Sequence, residues 1–338
     1  MRAILETTPF LLTGELLWAR VPFSPTNIFA PASTPAETIH GLSLLVLIIT
    51  GAIFLTVFSL LVFAVVKFRE KNSSNTDEPA QVYGSVQIEL AWTVIPVLIV
   101  VVLFLATVRV IAKVQNATPP PGALKVTVIG HQFWWEYRYD KSNVVTANEL
   151  HIPLSDPANP TPTFLTLLSA DTDHSFWVPR LAGKTDLIPN HPNSTWIDPH
   201  EPGLYLGQCS QYCGVQHAKM LLRVYVQPRA EFDRWLAQQS LPAVASDNVA
   251  EGRRVFESTV CVNCHTIRGT MADGKFGPDL THLMSRDTIA AGSVRNTPQN
   301  LRLWVQNPQT FKPGCLMPAM GLSGAQLDAI TAYLESLR

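Results

Sequence analysis

Charged side chains are scarce in this chain. Asp, Glu, Lys and Arg make up 15% of its 338 residues, against about 25% in a typical soluble domain, so part of the chain avoids water. An excess of one sign is also missing: 25 basic residues against 26 acidic ones leave a net charge of −1. Lys and Arg form no long block, which removes the basic field that nucleic-acid binding relies on and excludes a polybasic tail. Cysteine is sparse at five residues. Four of them fall into a C-x-x-x-C pair (Cys209, Cys213) and a C-x-x-C-H group (Cys261, Cys264, His265), spacings of metal and cofactor chemistry rather than of a disulfide framework, and Cys315 is left over. The first 40 residues lack both a sustained apolar run and a small-residue cleavage site. Phe10 to Trp18 is apolar but broken by Glu15, so residues 1–40 are expected to be an external segment and not a cleaved signal peptide.

Long uncharged runs are what the chain does have. Leu42 to Val66 and Leu90 to Val108 contain no charged residue, and each is long enough to cross a hydrocarbon layer of about 30 Å as a helix. The expectation is a transmembrane hairpin over 41–113 with helices at 42–66 and 90–112; Pro96 is tolerated in such a helix. The intervening loop opens with Lys67, Arg69 and Lys71, which places it on the cytoplasmic side and both termini outside.

Beyond Pro119, Pro120 and Pro121, a stiff spacer, the pattern changes. Short strand-like runs, Leu124 to Ile129, Phe133 to Tyr139, Thr163 to Leu168 and Leu221 to Val226, alternate with Pro-, Asn-, Asp- and Gly-rich turns. Residues 119–228 therefore predict a β-sandwich or barrel. A linker is expected over 229–247, with its small residues around Leu241 to Ser246. Residues 248–338 predict a small all-α domain. Asn248 with Glu251 and Ser323 with Gln326 have capping-box spacing, and Leu327, Ile330, Leu334 and Leu337 recur at helical intervals. The fold class is multidomain.

The run from Cys209 to Met220 places two thiols, the His217 imidazole and a thioether within twelve residues. Soft donors of this kind suit copper. A mononuclear blue-copper site needs one Cys, so the second points to two thiolates bridging two copper ions. Zinc is the competing reading, but Met is a poor zinc ligand and the spacing is not that of a standard finger. A second imidazole must come from elsewhere, and His174 in Asp171-Thr-Asp-His174 is the best candidate.

At these residues the chain resembles subunit II of cytochrome c oxidase, whose cupredoxin domain holds the dinuclear copper centre Cu-A; the resemblance covers about residues 40 to 228. It implies His174, Cys209, Cys213, His217 and Met220 as copper ligands, with the backbone carbonyl of Gln211 completing the set. The family usually has Glu at that position, and its carboxylate also reaches a magnesium ion at the boundary with subunit I. Gln211 lacks that carboxylate. His131, His151, His191, His200 and His282 have no such support and are read as structural or surface residues.

Cys261-Val-Asn-Cys264-His265 is the attachment pattern of c-type haem, two thiols adding to the vinyl groups and the imidazole becoming an axial ligand. With Gly277-Pro278 and Met317-Pro318 downstream, residues 248–338 resemble a class I cytochrome c. That resemblance implies Met317 as the second axial ligand, because the family places its ligand directly before a Pro; Met320 and Met284 are the rivals. It also implies that the Pro278 carbonyl orients the His265 ring.

Two further readings rest on the family. Phe133, Trp134 and Trp135 form an aromatic segment that packs a sheet in the plain reading and carries electrons to copper in the family reading. Phe133 stands where oxidases fed by a soluble cytochrome usually have a docking Trp, which suggests that a haem domain tethered by a flexible linker meets the copper face by a different contact. Glu89, before Trp92 at the cytoplasmic mouth of the second helix, matches the entrance of a proton channel of subunit I. Together these imply a caa-type haem-copper oxidase subunit in a bacterial inner membrane. It would carry two coppers and one covalent haem, with subunit I and subunit III as partners and its cupredoxin and cytochrome domains on the periplasmic side. Its donor would be cytochrome c or a quinol-cytochrome c reductase complex. The other reading of the same motifs is a free-standing membrane-anchored electron-transfer protein.

Overall fold

The computed structural model describes residues 26–69, 81, 83–115, 117–156, 158–243 and 247–338. The expectations for the apolar stretch around Phe10, for Lys71 and for the linker residues 244–246 lie outside the described residues.

Helices α1 (Thr34–Lys67) and α2 (Val86–Gln115) form the hairpin. Both are longer than the uncharged runs, because their ends continue into polar flanks where other parts of the chain satisfy the backbone. α1 carries Pro35 in its first turn, where a proline is tolerated. There the Thr34 hydroxyl donates to the Asp198 carboxylate at 2.5 Å, while Ala32 N–H donates to the Arg180 carbonyl at 2.8 Å. At the far end of α2 the Trp196 indole donates to the Val114 carbonyl at 2.7 Å. The apolar side chains between these anchors point outward, and both helices are long and apolar enough to cross a membrane.

Ten strands follow: β1 (Lys125–His131), β2 (Trp134–Tyr139), β3 (Val145–Ala147), β4 (Glu149–Pro153), β5 (Thr163–Ser169), β6 (His174–Trp177), β7 (Thr185–Leu187), β8 (Asn193–Ile197), β9 (Gly203–Cys209) and β10 (Leu221–Gln227). They make two five-stranded sheets, ordered β3-β2-β1-β5-β8 and β4-β10-β9-β6-β7, with β1–β5 and β10–β4 parallel and the other pairs antiparallel. Alternation drives the packing: Leu222, Val224 and Val226 of β10 turn inward while their neighbours stay half-buried. Trp135, Tyr137 and Tyr139 of β2 fill the core between the sheets.

The stretch expected to be a flexible linker is mostly helix. α3 (Arg229–Gln239) packs Phe232, 1% exposed, against the sandwich. Trp235 stacks on His151 at 4.1 Å, and His151 stacks in turn on Tyr225 at 4.6 Å. Aromatic burial on one face of this eleven-residue helix fixes a stretch that the small residues downstream of it marked as linker. The residues after α3 are pinned to the next domain as well: the Gln239 amide donates to the Ser285 hydroxyl at 3.1 Å, and His282 Nε2–H donates to the Leu241 carbonyl at 2.9 Å.

That domain comprises α4 (Ala250–Ser258), α5 (Cys261–Cys264), α6 (Pro298–Gln306) and α7 (Gly324–Ser336). Leu327, Ile330, Leu334 and Leu337, the residues at helical intervals, are all buried in its core beside Phe256 and Tyr333. Ser323 and Gln326 form the full capping box of α7. Asn248 does not cap α4: a tight turn over Asp247–Val249 runs directly into the helix, so Val249 takes the cap position without a side-chain bond.

A packed α3 has a measurable signature. Phe232→Ala is expected to destabilise the sandwich by about 3 kcal/mol, seen as a lower unfolding midpoint by calorimetry of the full chain. A flexible linker would leave that midpoint unchanged.

Candidate metal centre and haem cleft

Strand pairing assembles the first site. β6 pairs with β9 so that Phe176 lies opposite Cys209, which brings His174 at the start of β6 beside the end of β9. β9 and β10 are antiparallel neighbours, and the loop between them is closed by Cys209 N–H donating to the Met220 carbonyl at 3.0 Å. Inside the loop Cys209 Sγ and Cys213 Sγ are 3.9 Å apart. His174 Nδ1 is 3.9 Å from Cys209 Sγ, His217 Nδ1 is 3.7 Å from Cys213 Sγ, and Met220 Sδ is 3.8 Å from Cys213 Sγ. The Gln211 carbonyl oxygen is 3.1 Å from Cys209 Sγ. All six residues expected to ligate copper are thus brought to one place. His174, Cys209, Cys213 and Met220 are buried, His217 is half-buried and the Gln211 side chain is exposed.

The supporting residues explain the orientation of the donors. Asp171 Oδ1 accepts from His174 Nε2–H at 2.8 Å; a carboxylate fixes the proton on Nε2 and leaves the Nδ1 lone pair facing the thiols. Gln132 N–H donates to Asp171 Oδ2 at 2.6 Å, and the Gln132 amide donates to the Cys213 carbonyl at 2.5 Å. Gly130 gives the imidazole room, since a Cβ there would lie 2.8 Å from His174 Cδ2. Sequence reasoning assigned no role to Asp171, Gln132 or Gly130. Asp171, three residues before His174, carried the one usable signal.

The thiols titrate as a pair. Cys209 is driven well below the ordinary thiol value by the hydrogen bond from Cys213, with help from His174 and backbone groups against the opposing cost of burial. Cys213 is pushed far up by that same bond, and burial adds to the effect. One proton leaves readily while the second is held between two sulfurs, where a soft cation can replace it.

The second site is a cleft in the helical domain, lined by Cys261, Cys264, His265, Pro278, Met317 and Met320 among others and enclosing about 1370 Å³ with its solvent-open mouth included. α5 places both thiols, and His265 follows with its N–H donating to the Cys261 carbonyl at 2.9 Å. His265 Nδ1–H donates to the Pro278 carbonyl at 2.7 Å. The carbonyl can only accept, so the proton sits on Nδ1 and the bare Nε2 is free to bind a metal. Burial holds the imidazole below its ordinary value, hence neutral. Gly277 lies so close to the ring that a Cβ would come within 2.6 Å of His265 Cε1. Met317 and Met320 both line the cleft, whereas Met284 packs against the core. A flat macrocycle with two thioether links and one axial imidazole fits this donor set and this predominantly apolar wall.

The two sites share a wall. Phe133 and Trp134, both buried, line the haem cleft from the sandwich side. The Phe133 ring also touches the copper loop, where a Cβ on Gly214 would meet it at 3.0 Å. Trp135 lies on the other side, 6.1 Å from the His174 ring by centroids, with its indole N–H 3.5 Å from the Met220 carbonyl. Glu89 is apart from all of this, exposed in the first turn of α2 at the opposite end of the hairpin.

Three family profiles match the chain: the transmembrane domain of cytochrome c oxidase subunit II over residues 24–110, its periplasmic domain over 158–226, and cytochrome c over 249–338. A cytochrome c oxidase subunit 2 of Alkalihalophilus pseudofirmus is 32% identical over 91% of this chain and 90% of its own length. This chain belongs to the cytochrome c oxidase subunit 2 family. A second relative of the same name, from a Bacillus species, is 30% identical over 80% of both chains. The crystal structure of the periplasmic domain of subunit II of cytochrome oxidase from Bradyrhizobium japonicum matches 36% of this chain and 96% of its own at 26% identity, with a TM-score of 0.33. As a family member the chain is a membrane-anchored oxidase subunit suited to electron transfer, and its subunit II and cytochrome c domains imply a copper centre and a haem.

Gly130→Ala tests the close packing around His174. It is expected to displace the imidazole and weaken copper binding about 10- to 100-fold, measured by titrating the copper-free full chain with copper against a competing chelator. Unchanged affinity would remove His174 from the site.

Proposed function

We propose that this chain is the subunit through which electrons enter a proton-pumping haem-copper oxidase. It takes them from an external donor, either cytochrome c or a quinol-cytochrome c reductase complex, and passes them through a covalent c-type haem and a dinuclear copper centre to the haems of subunit I, where oxygen is reduced to water. The observation that carries this reading is the shared wall: Phe133 lines the haem cleft and rests against the loop that holds both thiols. Bound in these sites, the haem and the copper pair supply one-electron carriers.

The residues of the chain position those carriers. Cys209 and Cys213 as thiolates, His174 and His217 as imidazoles, and Met220 with the Gln211 carbonyl would together hold the copper pair. Asp171 fixes the His174 tautomer. Cys261 and Cys264 would hold the haem covalently, His265 and Met317 would ligate its iron, and the Pro278 carbonyl keeps the His265 ring in register. Phe133, Trp134 and Trp135 exclude water from the space between the centres, where low polarity keeps reorganisation small. The sandwich and the cytochrome domain stand on the periplasmic side of a bacterial inner membrane and the loop between α1 and α2 on the cytoplasmic side, with subunits I and III as partners in the membrane.

Glu89, exposed where α2 begins, is assigned to the mouth of a proton channel shared with subunit I. Glu89→Gln should lower turnover of the assembled oxidase while leaving reduction of the chain's own haem unchanged; intact turnover would remove the assignment. The reading as a whole is tested by metal and haem analysis of the purified chain. The expected content is two coppers and one haem that stays attached after denaturation. One copper, or zinc in its place, would overturn the dinuclear site.

A further inference from the structure

Two buried charged side chains cross between the sandwich and the cytochrome domain in opposite directions, and among the described residues each finds its hydrogen-bond partners on the other side. Glu149, at the start of β4 and 2% exposed, reaches the segment before α6. Its Oε2 accepts from Asp287 N–H at 3.0 Å, and its Oε1 accepts from Thr288 N–H at 2.8 Å and from the Thr288 hydroxyl at 2.5 Å. Lys312, 3% exposed, lies in the loop between α6 and Met317 and points back. Its ammonium donates to the Phe133 carbonyl at 2.8 Å. Burial brings the Lys312 ammonium down to about 8 and raises the Glu149 carboxyl above its ordinary value against the pull of its hydrogen bonds.

Such contacts are costly to desolvate and add little net affinity. They are demanding in geometry, however. Separating the domains strands neither charge, because water takes over. Docking them in any other register buries an ammonium without an acceptor or two amides without a carboxylate, and each orphaned group then bears its full desolvation cost. Neutral contacts follow the same line. The Gln216 amide donates to the Pro313 carbonyl at 2.6 Å, Leu221 N–H donates to the Ala291 carbonyl at 3.2 Å, and Trp134 packs with Ala291.

We propose that Glu149 and Lys312 are positioning residues that lock the cytochrome domain onto the copper face in one register, so that the haem works from a standing contact with Phe133 and not as a tethered carrier that docks at each turnover. This deepens the function proposed above and rests on it for the identity of the two centres. Tethered capture would make the connector essential, whereas a lock makes it dispensable once the domains have docked.

The test uses the full chain with haem and copper loaded, as wild type, E149Q and K312M. Glutamine keeps the shape of Glu149 but puts an N–H where an acceptor is needed, and methionine keeps the stem of Lys312 without its charge. Two quantities are read: amide exchange at Asp287 and Thr288, and the rate at which one electron leaves the flash-reduced haem and reduces the oxidised copper pair. In wild type the amides should be protected and the transfer independent of salt. Cleavage at a protease site inserted after Ala243 should leave both unchanged. Each variant should raise exchange at least tenfold, slow transfer at least tenfold and make it salt-dependent, with haem and copper absorption unaltered. If a variant loses those bands, Thr288→Val, which removes one hydroxyl, takes its place. Unprotected amides in wild type, or variants that transfer as fast as wild type at every salt concentration, would overturn the lock. Protected amides without any haem-to-copper transfer in wild type would instead overturn the proposed function and leave the lock standing.

Discussion

One backbone hydrogen bond, from Cys209 N–H to the Met220 carbonyl, closes the loop on which the chemistry depends. Its two ends belong to β9 and β10, which are already paired along their length, so the loop cannot open without unzipping the sheet. Eleven peptide units must turn within that span, which forces both sulfurs inward and toward each other. The thiols come close because the sheet fixes the two ends; no disulfide or bulky core residue is needed to bring them together. His174 joins through the same sheet, since β6 is the other neighbour of β9.

Much of this was legible in the sequence, for a reason that can be stated residue by residue. Cys209, Cys213, His217 and Met220 lie within one loop, and Cys261, Cys264 and His265 within one turn of chain, so short spacings encode their proximity directly. The two apolar helices announce themselves through absence of charge. The sandwich was readable where six or seven residues of β-branched, aliphatic or aromatic character run together, as in β1, β2, β5 and β10, whereas β9, equally long, begins with and is interrupted by glycine and was missed. The three- to five-residue strands β3, β4, β6, β7 and β8, with sequences such as Asn193–Ile197, present too little pattern.

What stayed hidden is long-range. Lys312 and Phe133 are 179 positions apart and Glu149 and Thr288 are 139 apart, and no local pattern marks a lysine or a glutamate that will be buried by another domain. The stretch 229–247 was misread for the opposite reason. The small residues around Leu241 to Ser246 suggested a linker, while upstream of them Phe232 and Trp235, three positions apart on one helical face, found an aromatic surface made by Tyr139 and His151. Asp171 escaped notice because a carboxylate near a histidine is common, and only the fold shows which ring nitrogen it addresses.

The attachment of the sandwich to the hairpin has its own consequence. Thr34 at the head of α1 is tied to Asp198, and Val114 at the tail of α2 is tied to Trp196, two residues apart on the same stretch of chain. A domain held by one helix can swivel about it, whereas one held by two has its azimuth set by them. The bearing of the thiol loop around the hairpin is therefore set at these two ties, and a change in how the helix pair leans would turn the sandwich with it like a compass card.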